Sequence, residues 1–261
     1  MQVDHIRTLE RREFKYLVSE EVAQEMADYL KGICILDPHA GPDGQYPIRS
    51  LYFDTDQYHL YQSNQREDSK RFKVRIRTYS HGEGAVWFEV KERFSDTIRK
   101  TRVRVPDGSW RHLLEESDAL HRTDFEKTDS DLVERFLWYI HSYHLCPKVL
   151  VEYDRSAYIS QFDDYARITF DRHIRCQLQD ELTVEAPDWK WRAIDHPKRV
   201  CALEPLCVLE LKFGSLVPRW MVVFVQRFDI IRASFSKYCY SVDAQHLLPD
   251  SHVAGIQARK W

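Results

Sequence analysis

The sequence predicts an α+β protein built on an antiparallel β-barrel of about eight strands, with helices packed against its outside. Two observations predict this. Short runs with apolar residues at every second position recur along nearly the whole chain, as strands with one solvated face do. On several of these runs the alternate positions are cationic, as with Arg71, Lys73, Arg75 and Arg77 in RFKVRIRTY. In a strand these four share one face while Phe72, Val74 and Ile76 share the other. If helices cover the apolar faces from outside, the charged faces turn inward, and a barrel gathers them into one lumen.

Glu13–Val18 reads as the first strand, with Glu13 and Lys15 on one face. Ser19 is an N-cap, Glu20 and Glu21 suit the first turn, and Val22, Met26, Leu30 and Ile33 space a helical stripe that ends at Gly32. Asp37–Gln45, with two prolines and two glycines, is a loop. Ile48–Asp54 is the second strand, Asp56–Ser63 a short helical turn, and the ladder at Arg71–Tyr79 the third strand. After a turn at His81–Gly84 come Val86–Phe94, with Glu89, Lys91 and Arg93 on one face, and Ile98–Val105, with Lys100, Arg102 and Arg104 on one face. A helical insert at about 108–146 follows, in two pieces, Trp110–Leu120 and Ser130–His144; Leu132, Phe136, Ile140 and Tyr143 form the stripe of the second. It is too short to bury a core alone, so residues 1–261 are read as a single domain. Strands resume at Lys148–Tyr158, Tyr165–Cys176 and Cys207–Phe213. Leu178–Pro205 between the last two, with three prolines and Trp189 and Trp191, is expected to be a packed surface loop. Pro218 opens a last helical stripe of Trp220, Val223, Phe224 and Arg227, and the chain closes with Ser234–Val242 and a polar tail.

Composition bounds the function. Net charge is −3, from 38 basic and 41 acidic residues, which does not suit a general nucleic-acid binder. No run is long and apolar enough to span a membrane, and the charged N-terminus lacks a signal-peptide core, so a cytoplasmic protein is expected. The six cysteines form no C-x-x-C pair and read as reduced core residues. There is no phosphate-binding glycine loop, no H-E-x-x-H and no G-x-S-x-G elbow; His141 and His144 lack a third ligand.

The lumen candidates are Lys15, Arg71, Lys73, Arg75, Arg77, Lys91, Lys100, Arg102, Arg155, Arg167 and Lys212. So many converging cations call for a polyanion, with arginine offering paired contacts and lysine point charges. Glu13, Glu89 and Glu210 each precede a lysine by two positions. A carboxylate among phosphates implies a divalent cation between them. Glu89 reads as an in-strand ion pair with Lys91, and Glu210, flanked by Leu209, Leu211 and Phe213, as the metal candidate.

Taken together, EFKYLV at 13–18, YPIRSLYFDT at 46–55, RFKVRIRTY at 71–79, FEVKER at 88–93, YDRSAY at 153–158, RITFDR at 167–172, LELKF at 209–213 and FSKY at 235–238 resemble the catalytic domain of the vacuolar transporter chaperone (VTC) family, within the CYTH-like triphosphate tunnel metalloenzymes. The resemblance implies a triphosphate tunnel and a polyphosphate polymerase that transfers the γ-phosphate of ATP to a growing chain with Mn²⁺ or Mg²⁺. Other branches hydrolyse triphosphates or cyclise ATP, and a triphosphatase or a non-catalytic polyphosphate binder stays open. By motif, Lys15, Arg75, Arg77, Lys91, Lys100, Arg155, Arg167 and Lys237 look like the catalytic phosphate ligands. Lys73, Arg102, Lys212 and Ser236 look like further substrate contacts and Glu210 like the metal ligand, while Arg71 is expected at the mouth. Where the superfamily has E-x-E-x-K, this chain has Arg11, Glu13 and Lys15, which suits the VTC branch better than the hydrolases. The membrane segments and phosphate-sensing domain of eukaryotic members are not read in this sequence, so a free soluble domain is expected.

Overall fold

A computed structural model describes residues 12–79, 84–95, 97–116, 119–123, 125–163, 165–197 and 205–245. The expectations that touch Arg11, Cys201 and the polar tail lie outside the described residues. Strands β1 (Arg12–Ser19), β2 (Cys34–Leu36), β3 (Tyr46–Asp54), β4 (Lys70–Tyr79), β5 (Ala85–Phe94), β6 (Thr97–Pro106), β7 (Cys146–Ser160), β8 (Ala166–Leu178), β9 (Arg192–Ala193) and β10 (Leu206–Phe213) make one antiparallel sheet. Its order is β1-β10-β8-β7-β3-β4-β5-β6, with β2 on β7 and β9 on β8. The eight principal strands match those expected; the short β2 and β9 were not foreseen. The sheet curls into a half-barrel, helped by register shifts between β3 and β7 and between β7 and β8, since a bulge bends the strand that carries it.

Strict alternation sets the layers. On the convex face, Val74 and Ile76 of β4, Phe88 and Val90 of β5 and Val103 and Val105 of β6 form one core. It is covered by α2 (His59–Gln65), α3 (Trp110–Glu115), α4 (Ala119–Arg122) and α5 (Lys127–Ser142), with Trp110 fully buried and Phe136 stacked on Phe88 at 4.2 Å. A second convex core joins Ile168, Phe170, Leu209 and Leu211 to α1 (Glu20–Leu30) and α6 (Arg219–Arg227). The helix α1 begins where Ser19 was expected to cap it, its side chain accepting a bond from the Val22 amide at 3.2 Å. Ser19→Ala is expected to cost about 1 kcal/mol of stability, read from the shift of a urea unfolding midpoint at unchanged slope.

Three expectations need correction. On α6 the buried side chains are Met221 and Phe224, whereas Val223 is 44% exposed, and Pro218 is the cap residue before the helix. Of the two tryptophans in the irregular tract, Trp191 packs against the first core while Trp189 is 80% exposed. Most consequential is α7 (Lys237–Ala244), which does not lie outside. Its Tyr238, Cys239 and Val242 cluster with Tyr52, Val149, Val151 and Tyr153, side chains with the parity of the concave face. The helix fills one end of the half-barrel and points its N-terminus, Ser236 and Lys237, inward.

Candidate functional site

Side-chain parity decides what the concave face carries. Lys73, Arg75 and Arg77 stand side by side on β4, their neighbours on β5 are Lys91, Glu89 and Trp87, and those on β6 are Lys100, Arg102 and Arg104. From the other limb come Arg155 of β7, Arg167 and Asp171 of β8, Glu210 and Lys212 of β10, and Glu13 and Lys15 of β1. The curl brings the limbs around one cavity of about 890 Å³, lined by fourteen lysine and arginine side chains against the three carboxylates of Glu13, Asp131 and Glu210. All thirteen nominated site residues line it. Arg71 does not: its guanidinium turns back to the Asp68 carbonyl at 2.6 Å and ties down the start of β4.

The cations fall into two groups, each built on carboxylates. On one limb Glu89, only 2% exposed, lies 2.6 Å from Arg75, 3.1 Å from Lys100, 3.2 Å from Arg102 and 3.9 Å from Arg77. Burial opposes its ionisation, but these four cations outweigh burial and hold the carboxyl well below the usual range. The expected in-strand pair with Lys91 is absent among the described contacts of Glu89, because Lys91 reaches across the lumen to Glu13 at 3.5 Å. Tyrosines fix the arginines further: Arg75 donates to Tyr52 at 2.8 Å, Arg77 to Tyr153 at 3.1 Å and Arg102 to Tyr79 at 3.0 Å. Arg102 also lies over the Trp87 ring at 3.6 Å.

On the other limb Glu210 is 2.7 Å from Lys212, 3.2 Å from Lys15, 3.6 Å from Arg155 and 3.7 Å from Lys237. Beneath it the fully buried Asp171 takes two bonds from Arg155, at 2.7 and 2.8 Å, and one from Lys237 at 2.5 Å. Arg167 donates to Asp37 at 2.7 Å and to Tyr46 at 3.0 Å. Lys73 has no carboxylate within ion-pair distance among the described residues: it donates to Ser236 Oγ at 2.8 Å, and desolvation together with its neighbours Lys15 and Lys91 lowers its proton affinity. Desolvation also pushes Lys100 down to about 7, against the pull of Glu89 and with Arg75 and Arg77 adding to the fall. For Glu13, burial and Glu210 favour the acid, yet Lys15, Lys91 and Lys212 hold it at about 2.

Among the described residues no group of three or more His, Cys, Asp and Glu side chains is arranged to hold a metal ion. Glu210 and Glu13 are near enough to repel one another electrostatically, and the surrounding lysines and Arg155 hold both below the usual carboxylate range against burial. Two hard oxygen donors fit an Mg²⁺-like ion that takes its other ligands from phosphates and water. Tyr46, Tyr52, Tyr79, Tyr153, Tyr165 and Tyr238, with Arg12, Arg99 and Arg135, line the cavity without having been expected there. Tyr79 was legible, since it continues the parity of the β4 ladder; Arg135 comes from α5 and carried no such signal.

The family model described as VTC domain matches residues 10–246. No curated protein matches the sequence. Among solved structures, a Bacillus halodurans protein provisionally described as an adenylate cyclase is 17% identical, covering 87% of this chain and 94% of its own, at a TM-score of 0.48. A Pyrococcus horikoshii OT3 protein is 9% identical, covering 90% and 97%, at 0.44.

Proposed function

We propose, from the premise that the chain belongs to the VTC domain family, that it is a polyphosphate polymerase transferring the γ-phosphate of ATP to a growing polyphosphate chain in this cavity. The observation that carries the reading is the lining itself, in which two limbs of arginine and lysine face a common space with few carboxylates. Phosphoryl transfer needs little covalent chemistry from a protein; alignment of the reacting oxygens and stabilisation of spreading charge do most of it.

Arg75, Arg77 and Arg155 are held by carboxylates and tyrosines, so they present fixed N–H groups to phosphate oxygens with little reorganisation. Lys15, Lys91, Lys100, Arg167 and Lys237 add charge around the transferred group, while Lys73, Arg102, Lys212 and Ser236 hold the rest of the anion. Glu210, with Glu13 beside it, would hold an Mn²⁺ or Mg²⁺ ion, whose chemistry there is to neutralise and align phosphate oxygens. The terminal phosphate of the chain is the nucleophile, and no protein nucleophile is required.

Purified protein incubated with ATP and Mn²⁺, with long-chain polyphosphate and free phosphate followed together, tests the reading. Long chains that depend on Lys91 and Glu210 support the polymerase. Orthophosphate without chains makes it a triphosphatase, and binding without turnover makes it a polyphosphate-binding protein. Glu210→Gln is expected to lower turnover by about a hundredfold, the scale of one preorganised electrostatic group, while tripolyphosphate binding in the absence of metal is kept or strengthened. Lost metal-free binding would refute a metal role for this residue.

A further inference from the structure

Glu89 belongs to the cavity wall without lining the cavity. Glu89 lies behind the cations of its limb, 2% exposed, and contacts four of them from two strands besides its own. Three are arginines, which stay charged whatever surrounds them. The fourth, Lys100, is the group whose charge depends on its surroundings. Its ammonium faces Arg75 and Arg77 from β4, Glu89 and its register partner Lys91 from β5, and Arg102 on its own strand. Glu89 is the only carboxylate of the described residues within ion-pair distance of it.

Resting on the reading of this cavity as a phosphate site, we propose that Glu89 is a positioning residue that keeps Lys100 cationic and turned towards the lumen, and that anion binding is linked to protonation through Lys100. The negative charge of Glu89 favours the ammonium against the surrounding cations. A bound polyanion replaces that role and raises the proton affinity of Lys100 further. The sign follows from linkage: the anion prefers the protonated form, so affinity is full below the free-state value near 7 and declines as pH rises through it. A carboxylate acting by bulk charge alone has the opposite signature, because deleting a negative group beside a polyanion site strengthens binding at every pH.

The test uses inorganic tripolyphosphate as probe, without metal, in calorimetric titrations between pH 5.5 and pH 8. Removing an opposite charge at this distance lowers a lysine by at least about one unit. Glu89→Gln is then expected to bind within about twofold of the parent at pH 5.5 and about tenfold more weakly at pH 8. Glu89→Asp, which keeps the charge, is expected to follow the parent. A parent-to-variant ratio that is the same at every pH overturns the proposal, and so does tighter binding throughout. Should Glu89→Gln not fold, Lys100→Arg decides: a permanent cation flattens the decline between pH 7 and pH 8, and a profile parallel to the parent overturns the linkage. If the parent fails to bind tripolyphosphate, or Arg75→Ala binds it unchanged, the phosphate reading of the cavity falls and this proposal with it. If Arg75→Ala loses binding while Glu89→Gln changes nothing, only this proposal falls.

Discussion

Arg75→Ala and Arg77→Ala are each expected to weaken tripolyphosphate binding by about 30-fold to about 4,000-fold. That is the range of about 2–5 kcal/mol for truncating one member of a desolvated, hydrogen-bonded charge pair, at about 1.4 kcal/mol per decade. The two side chains are largely buried in the wall, and each is anchored twice, Arg75 by Glu89 and Tyr52, Arg77 by Ser50 and Tyr153. Truncation therefore removes donors whose positions were fixed before the ligand arrived, and solvent cannot restore them. Calorimetric titration of each variant checks the loss, with Arg71→Ala as the contrast. Arg71 is spent on a backbone carbonyl outside the cavity, so its variant is expected to bind as the parent does. Unchanged affinity in Arg75→Ala, or in Arg77→Ala, would mean that the cavity is not where the anion goes.

Asp171→Ala is expected to cost about 3–5 kcal/mol of stability, a fall in Tm of roughly 6–20 °C for a chain of this size. Asp171 has no solvent exposure and receives three bonds from Arg155 and Lys237. Without it the one carboxylate left within ion-pair distance of those cations among the described residues is Glu210, at 3.6 and 3.7 Å, which is already shared with Lys15 and Lys212. The diagnostic part is the rescue. Tripolyphosphate supplies the missing negative charge, so thermal melts with saturating ligand are expected to raise Tm more in Asp171→Ala than in the parent. A loss under about 1 kcal/mol, or equal shifts in both proteins, would show that Asp171 does not serve as counter-charge to the cavity.

The architecture was legible because period-two alternation is a local property. Once Val74 and Ile76 were taken as core, Lys73, Arg75 and Arg77 had to stand on the other face, and the same reasoning placed Lys91, Lys100 and Arg102. Partnership across the lumen was not legible. Lys73 meets Ser236 and Lys91 meets Glu13, residues joined only by the curl of the sheet and the placement of α7. Spacing of two within a strand suggested that Glu89 pairs with Lys91, but side chains on one strand compete with closer neighbours on the strands beside it, and Arg75, Lys100 and Arg102 won. The inward position of α7 escaped for a related reason. A short amphipathic helix buries its apolar side equally well against either face of a sheet, and Tyr238 and Val242 do not say which. Arg71 shows the limit of parity at a strand's end, where the backbone of the preceding turn is near enough to take the side chain.

Of the cavity's nominated lysines and arginines, all but Lys73 already have a carboxylate within ion-pair distance among the described residues. A ligand does not enter a field of idle positive charge; it competes with an occupant built into the wall. Acetate-like and singly charged anions offer nothing that Glu89, Glu210 and Asp171 do not offer already, and they arrive with an entropic handicap. Only a solute carrying several charges along a short backbone can outbid the wall at several points together. If the cavity is a phosphate site, as proposed, its selection by charge density would come from its acids as much as from its bases.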